Sequence, residues 1–526
     1  MKKLLCFSFF LLNVQLLMAQ APAAEKANYQ LASKFSPKKL GKMVFSTSVS
    51  PHWFKKSDRF WYMYETTSGR KWYLVNPATR EKKEMFDLEK LAAQLTQIVK
   101  DPFDAQHLPI DSLRLTESEN GMRFEIKSTI DEERKDTTVR RGTPQPRGKK
   151  IFYFEYTFST GQLQELKEFK KPARRPNWAS VSPDSSTIIF ARNYNLYKMD
   201  KANYEKALKN ESDSTIVETQ LTKDGIEFFA YGGGEKDDDN ASDSTKAKPK
   251  RRAAYVLWSP DSKKFAMVRS DTRKLKEMWV INSVADPRPT LKTYKYQLPG
   301  EKEAPDEFVL LFDAATGNQQ ALAVSAFKNQ DVGIWSSNFK QNERDDDWRP
   351  LTWLGTKDKF YLNRTSRDLK RIDVVSIDVA TGTPKVLIEE RMNTYVEIRK
   401  LGLVNDGKEL IQWSERDGWG HFYLYDGNGT LKNQITSGAF HCEDIVGIDE
   451  KKRVLYFSAN GREGKEDPYY LHLYKINFDG SGLTLLNAGD FDHNMSLNDN
   501  NTFFVDNYSR VNTVPKSALY DANGKK

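Results

Sequence analysis

Cysteine is almost missing from this chain, which has two in 526 residues. Cys6 falls inside an N-terminal apolar run, so removal of that run leaves Cys442 alone and excludes an intrachain disulfide framework. Long hydrophobic runs are scarce too. The one present extends from Leu4 to Met18 and is interrupted by Asn13 and Gln15, which excludes a multi-span membrane protein. Strong charge of one sign is also lacking: 81 basic residues stand against 72 acidic ones, a formal net charge of +9. Without Lys2 and Lys3 the difference is 79 minus 72, or +7, too thin over such a length for a nucleic-acid footprint, so no nucleic-acid partner is expected. His441 and Cys442 adjoin, but with no further Cys or His nearby they predict neither a metal site nor a cofactor.

What is present points to packed cores, because 38% hydrophobic and 12% aromatic residues cannot stay in water. The opening MKKLLCFSFFLLNVQLLMAQ has two lysines, an apolar centre and a small-residue exit, and reads as an export signal over residues 1–20. The mature chain is then expected in the periplasm or outside the cell, with no membrane span after cleavage.

Two sequence lines recur. The first is a Ser-Pro-Asp turn leading into a strand, at Ser182-Pro183-Asp184 before TIIFAR and at Ser259-Pro260-Asp261 before KFAMV, with looser copies elsewhere. Proline presets the turn and Asp bonds its own backbone, so this punctuation ends one strand and starts the next. The second is a short alternating strand running into Asp and then Thr-Gly or a similar pair: LLFDAATG at 310–317, VSIDVATG at 375–382, LYDGNG at 424–429 and INFDGSG, whose Asp is Asp479. Returns at this spacing describe four-stranded units that cannot bury both faces alone and therefore stack radially. The expected fold is all-β: a β-propeller of eight four-stranded blades, with seven the alternative, over residues 46–515. A lead-in over 21–45 precedes it and a tail over 516–526 follows. DLEKLAAQLTQIV at 87–99 places Leu88, Leu91, Leu95 and Ile98 on one helical face, predicting one short inserted helix. Polar, turn-rich stretches near 131–150 and 232–252 read as solvated loops.

SERDGWGHFYLYD from Ser414 to Asp426 resembles a propeller segment of the dipeptidyl-peptidase IV family, in the prolyl oligopeptidase clan. ARNYNLY from Ala191 to Tyr197 and VDNYSRVNTVP from Val505 to Pro515 are similar to further family segments in the same order. The resemblance implies an eight-bladed propeller followed by an α/β-hydrolase domain. That domain needs a serine nucleophile on a G-x-S-x-G elbow, and no such motif occurs here. Gly480-Ser481-Gly482 reads as a hairpin turn, so no catalytic residue is expected and the hydrolase domain would begin in the tail.

Family members that cut dipeptides from a free N-terminus hold the ammonium with a pair of glutamates. The corresponding stretch here offers only single candidates, Glu227 and Glu235. Glu415, Arg416 and Asp417 have two readings: a corner in which they pair among themselves while Trp419 packs between blades, or a set that orients a peptide. The implied function is the gating propeller of an exported serine peptidase. Its partners would be peptide substrates, a hydrolase domain or partner chain, and, in the family manner, a second copy. The alternative is a stand-alone propeller serving as a protein-binding or assembly module.

Overall fold

The computed structural model describes residues 27–131, 148–171, 174–232, 250–337 and 351–526. Eight antiparallel sheets follow one another along the chain, spanning residues 52–84, 110–165, 180–220, 257–321, 331–391, 402–434, 441–485 and 492–521. We number them blades 1 to 8. Seven have four strands and blade 8 has three, so the expected count of eight holds while the expected fourth strand of the last blade is absent among the described residues. A separate two-stranded hairpin, Glu277–Asn282 paired with Thr290–Lys295, rises from the middle of blade 4.

Most blades are packed on both faces, and their central strands are buried almost throughout, whereas Gly121–Asp131 and Lys149–Thr157 of blade 2 alternate. Thr187–Arg192, Lys359–Thr365 and Glu409–Ser414 have nearly every residue buried, whereas the outer strand Glu81–Glu84 is exposed along its length. Apolar clusters then join neighbouring blades. Ile189 and Leu196 meet Trp258 and Phe265 between blades 3 and 4, and Trp413 and Phe422 meet Phe457 and Tyr474 between blades 6 and 7.

The two recurring lines do the work their chemistry suggests. Thr187 N donates to Ser182 Oγ at 3.0 Å, and Lys264 N donates to Ser259 Oγ at 2.9 Å, closing the turns between first and second strands. Asp313 accepts from Thr316 N at 2.8 Å and Asp378 from Thr381 N at 2.8 Å, closing the turns between third and fourth strands. Asp521 repeats the arrangement, accepting from Asn523 N at 2.8 Å. Its strand, Lys516–Asp521, pairs with Phe503–Ser509. Blade 8 therefore runs past the boundary expected at 515, and what was read as the start of a tail is a blade strand.

The ring closes between blades 8 and 1. Phe60, Tyr62 and Val75 pack on Val505, Val49 N donates to Asn507 Oδ1 at 2.8 Å, and Asp58 accepts from Asn498 and Thr502, both at 2.8 Å.

The inserted helix is Leu88–Val99, capped by Asp87, which accepts from Lys90 N at 3.1 Å. Leu91, Ala92, Leu95 and Val99 are buried in the cluster shared by blades 1 and 2. A second helix, Lys201–Lys209, was not foreseen. Asp200 ends a third strand as the other aspartates do, but it caps a helix instead of a tight turn, accepting from Asn203 N at 2.8 Å. Two short helices, Tyr29–Lys34 and Pro37–Leu40, precede blade 1 and bury no residue.

Candidate functional site

In an antiparallel blade, the hairpin between strands 2 and 3 and the link to the next blade emerge on one side of the ring. The turns 1 to 2 and 3 to 4 emerge on the other. We call these the link face and the turn face. The helix Leu88–Val99, the projecting hairpin of blade 4, residues 222–232, residues 392–401 and the SERDGW hairpin all belong to the link face. Most large apolar side chains left in water outside the strands are there too, including Ile226, Tyr255, Tyr395, Trp419, Tyr469, Val511 and Val514; Val217 and Leu351 lie in connections of the turn face.

The SERDGW hairpin joins Glu409–Ser414 to His421–Asp426 in blade 6. Arg416 does not pair with Glu415 or Asp417. Its Nη2 bonds the Glu390 carboxylate of blade 5, its Nε donates to Ser414 Oγ at 3.1 Å, and Ser414 Oγ donates to Glu390 Oε2 at 2.8 Å. The guanidinium lies 4.4 Å from the Tyr423 ring centre. Burial opposes its charge, yet Glu390 and Tyr425 together outweigh that and hold the Arg416 pKa above its ordinary value. Asp417 accepts from Gln434 Nε2 at 2.6 Å and from Trp419 N at 3.2 Å, while the half-buried Glu415 accepts Gly418 N on its carbonyl. Trp419 is 44% exposed and does not pack between blades. Trp413 does so instead, donating from Nε1 to Cys442 O at 2.7 Å and stacking under Arg399. The reason is register: Trp413 sits within a strand, whereas Trp419 follows Gly418, whose φ of 96° turns the chain outward.

Glu227 occupies a tight turn between the bridged residues Ile226 and Phe229, with Phe228 in the left-handed region at φ 64°. Residues 226–229 form no helix. The turn is held from blade 4 by Arg269, which donates to Asp224 Oδ2 at 2.7 Å and to Phe229 O at 2.9 Å while stacking on Phe229 and Tyr231. Burial raises the Asp224 pKa, but hydrogen bonds from Arg269 and Tyr231 outweigh it and hold the group below its usual range. Glu235 lies outside the described residues. Glu227 and the Glu415-Arg416-Asp417 set therefore share the link face but stand three blades apart, and they form no single cluster. Sequence reasoning missed Glu390, Asp224 and Arg269. The visible signal was a charged residue closing or interrupting an apolar strand, as in VLIEER and FAMVRSD.

A third repeat also went unnoticed. Thr222, Thr436 and Asn487 each accept, through the side chain, the N–H that opens a third strand, from Leu196, Phe422 and Leu473 at 3.0, 2.9 and 2.8 Å.

One group of side chains mimics a nucleophile with its base. Cys442 Sγ lies 3.6 Å from His421 Nδ1, and His421 Nε2 lies 4.0 Å from Asp417. Cys442 and His421 are fully buried, and burial pushes the thiol up to about 12, so it is neither accessible nor ionised near neutrality. His472 and His493 are buried as well, bonded to Glu466 at 2.7 Å and Asp506 at 2.8 Å. Ser481 sits in a turn, donating from N and Oγ to Asp479. Among the described residues no group of His, Cys, Asp and Glu is arranged to hold a metal ion, and no helix is long and apolar enough to cross a membrane.

Residues 250–515 match the model of the dipeptidyl peptidase IV N-terminal region. The chain belongs to this family. Dipeptidyl peptidase 4 of Trichophyton equinum is 21% identical over 388 residues, covering 71% of this chain and 44% of that protein. The Trichophyton rubrum dipeptidyl peptidase 4 is 23% identical over the same coverage. The crystal structure of Porphyromonas gingivalis dipeptidyl peptidase 4 superposes with a TM-score of 0.54 at 17% identity, over 92% of this chain and 60% of that one, a likeness of fold. The chain thus spans less than half the length of its fungal dipeptidyl peptidase IV relatives.

Proposed function

We propose that this ring is the gating propeller of an exported dipeptidyl peptidase IV-like serine peptidase, whose hydrolytic chemistry comes from an α/β-hydrolase domain docked on the link face. The observation that carries the reading is the asymmetry of the two faces: long links, exposed aromatic side chains and the described candidates Glu227, Glu415, Arg416 and Asp417 all lie on one side. A closed ring over an active site admits unfolded peptides and turns away folded proteins, selecting by size. On that face Glu227, Glu415 and Asp417 supply carboxylates for a peptide ammonium, and Arg416 stiffens the hairpin that presents two of them; Glu235, outside the described residues, is a further candidate.

The family-like second copy has a suitable surface in the projecting hairpin of blade 4. Every residue of Glu277–Asn282 is exposed, including Trp279 and Ile281, and an isolated two-stranded sheet is marginal in water without a cover. The purified 526-residue chain is expected to leave an Xaa-Pro chromogenic peptide intact; cleavage blocked by a serine-directed inhibitor would overturn the reading. The reading frame after Lys526 is a second test. A frame encoding G-x-S-x-G supports the peptidase, and an intact stop beside an unrelated gene favours a stand-alone binding module.

A further inference from the structure

Glu307 stands near the start of Asp306–Asp313, the third strand of blade 4, and its side chain reaches across to blade 5. Its Oε2 accepts from Val332 N at 2.6 Å, and its Oε1 accepts from Ser270 Oγ of its own blade at 3.3 Å. Val332 belongs to Asp331–Ile334, the first and innermost strand of blade 5, so this bond ties two blades together at the link-face rim of the ring's opening. The Asp331 carboxyl lies within hydrogen-bonding reach of the Glu307 carboxyl. Two ionised carboxylates have no proton to place between them, so a bond there requires one of the two groups to be protonated.

The backbone gives the pair little room to part. Val332 is buried in the apolar cluster that blades 4 and 5 share, with Val309 and Leu311 on the blade 4 side. The incoming link is fixed by Gln330, which accepts from Ala326 N at 2.8 Å and Phe327 N at 3.0 Å and donates to Val324 O at 3.1 Å. Cations on the adjoining strands are committed elsewhere. Lys274 binds Asp306 at 2.9 Å and Arg273 binds Asp271 at 2.8 Å. Arg269 binds Asp224 at 2.7 Å and Arg364 binds Asp373 at 2.8 Å, while Lys328 of the link is exposed. The largest charge acting on Glu307 is therefore that of Asp331. Burial first, and then that charge, raise the Glu307 pKa to about 7 against the pull of the Val332 hydrogen bond.

We infer that Glu307 and Asp331 form a one-proton clasp between blades 4 and 5, closed while the pair holds its proton and loosened once both groups are ionised. The proton belongs to the pair rather than to either residue. Ionisation sets two negative charges against each other beside the Val332 bond, which loosens the inner strand and adds charge to the rim. The direction follows from linkage. A carboxyl whose folded pKa lies above its unfolded value contributes stability that is complete below about pH 4.5 and is lost as pH rises to about 7. The clasp is independent of the gating proposal, because it needs no catalytic domain and lies wholly within this chain.

Urea unfolding of the full chain between about pH 5 and 8 tests it, with the isosteric variants Glu307→Gln and Asp331→Asn. Allowing for the exposure of Asp331, the parent's folding equilibrium constant should fall across that range roughly tenfold more than that of Glu307→Gln. Asp331→Asn, whose amide can donate to an ionised Glu307, should reduce the fall as well. In the unaltered chain, hydrogen exchange in Asp331–Ile334, corrected for the intrinsic effect of pH, should quicken over the same range, and that in Gly402–Val404 should not. A parent-like fall in either variant, or constant protection of Asp331–Ile334, would each overturn the inference. The exchange measurement needs no substitution, so it stands even if a variant fails to fold.

Discussion

The SERDGW corner shows how much depends on which tryptophan is buried. Trp413 is enclosed between blades 6 and 7, and Trp419 projects into solvent. Truncation of Trp413 to alanine should cost about 3–5 kcal/mol in urea unfolding, whereas Trp419→Ala should change stability by less than about 0.5 kcal/mol. Equal effects would mean that the hairpin is packed otherwise. Cys442 offers a second residue-level measurement. With its thiol pushed up to about 12 by burial, it should resist alkylation at pH 8 in the folded chain and react promptly in denaturant, as read by mass spectrometry of its peptide.

At the level of elements, junctions between blades carry ionic clamps as well as apolar clusters, and one of them makes stability depend on acid. Glu409 of blade 6 binds Arg453 of blade 7 at 2.7 Å and also Lys432. Hydrogen bonds from these partners, Arg453 foremost, outweigh burial and bring its pKa down to about 2. A depressed carboxylate contributes stability that is complete above its ordinary pKa and is lost as pH falls through the folded value. Unfolding midpoints should therefore drop between about pH 4.5 and 2, and Glu409→Gln should flatten that limb. Allowing for the exposure of Lys432 and Arg453, the loss at pH 7 should be about 1–3 kcal/mol. A variant with the parent's acid profile would refute the assignment.

Elements were also where the sequence was most legible. Turn chemistry alone located most strand ends, because Ser182, Ser259, Asp313 and Asp378 form bonds dictated by their own side chains. The helix Leu88–Val99 was legible from its spacing. The helix Lys201–Lys209 was not, because an aspartate that ends a strand can cap either a turn or a helix. The partners of Arg416 and Glu227 were hidden for a different reason. Glu390 and Arg269 come from neighbouring blades, and contacts across blades leave no local spacing in the sequence.

For the whole molecule, the junction of blades 2 and 3, where among the described residues no apolar cluster is shared by both neighbours, predicts uneven protection. Hydrogen exchange should be faster in the inner strands Ile110–Leu115 and Ser180–Val181, which flank the junction of blades 2 and 3, than in Glu409–Ser414 and Val454–Asn460. Uniform exchange around the ring would contradict a weak junction there. Each blade, moreover, is built from strands contiguous in the chain, and among the described residues none is lent across the closure between blades 8 and 1. During synthesis every blade can pair its backbone as soon as its own residues leave the ribosome, but Phe60, Tyr62 and Val75 must wait for Val505. An oily surface on the first-made blade thus stays uncovered until blade 8 has been synthesised, which makes the nascent chain a customer for chaperones and any release before that blade a route to aggregation.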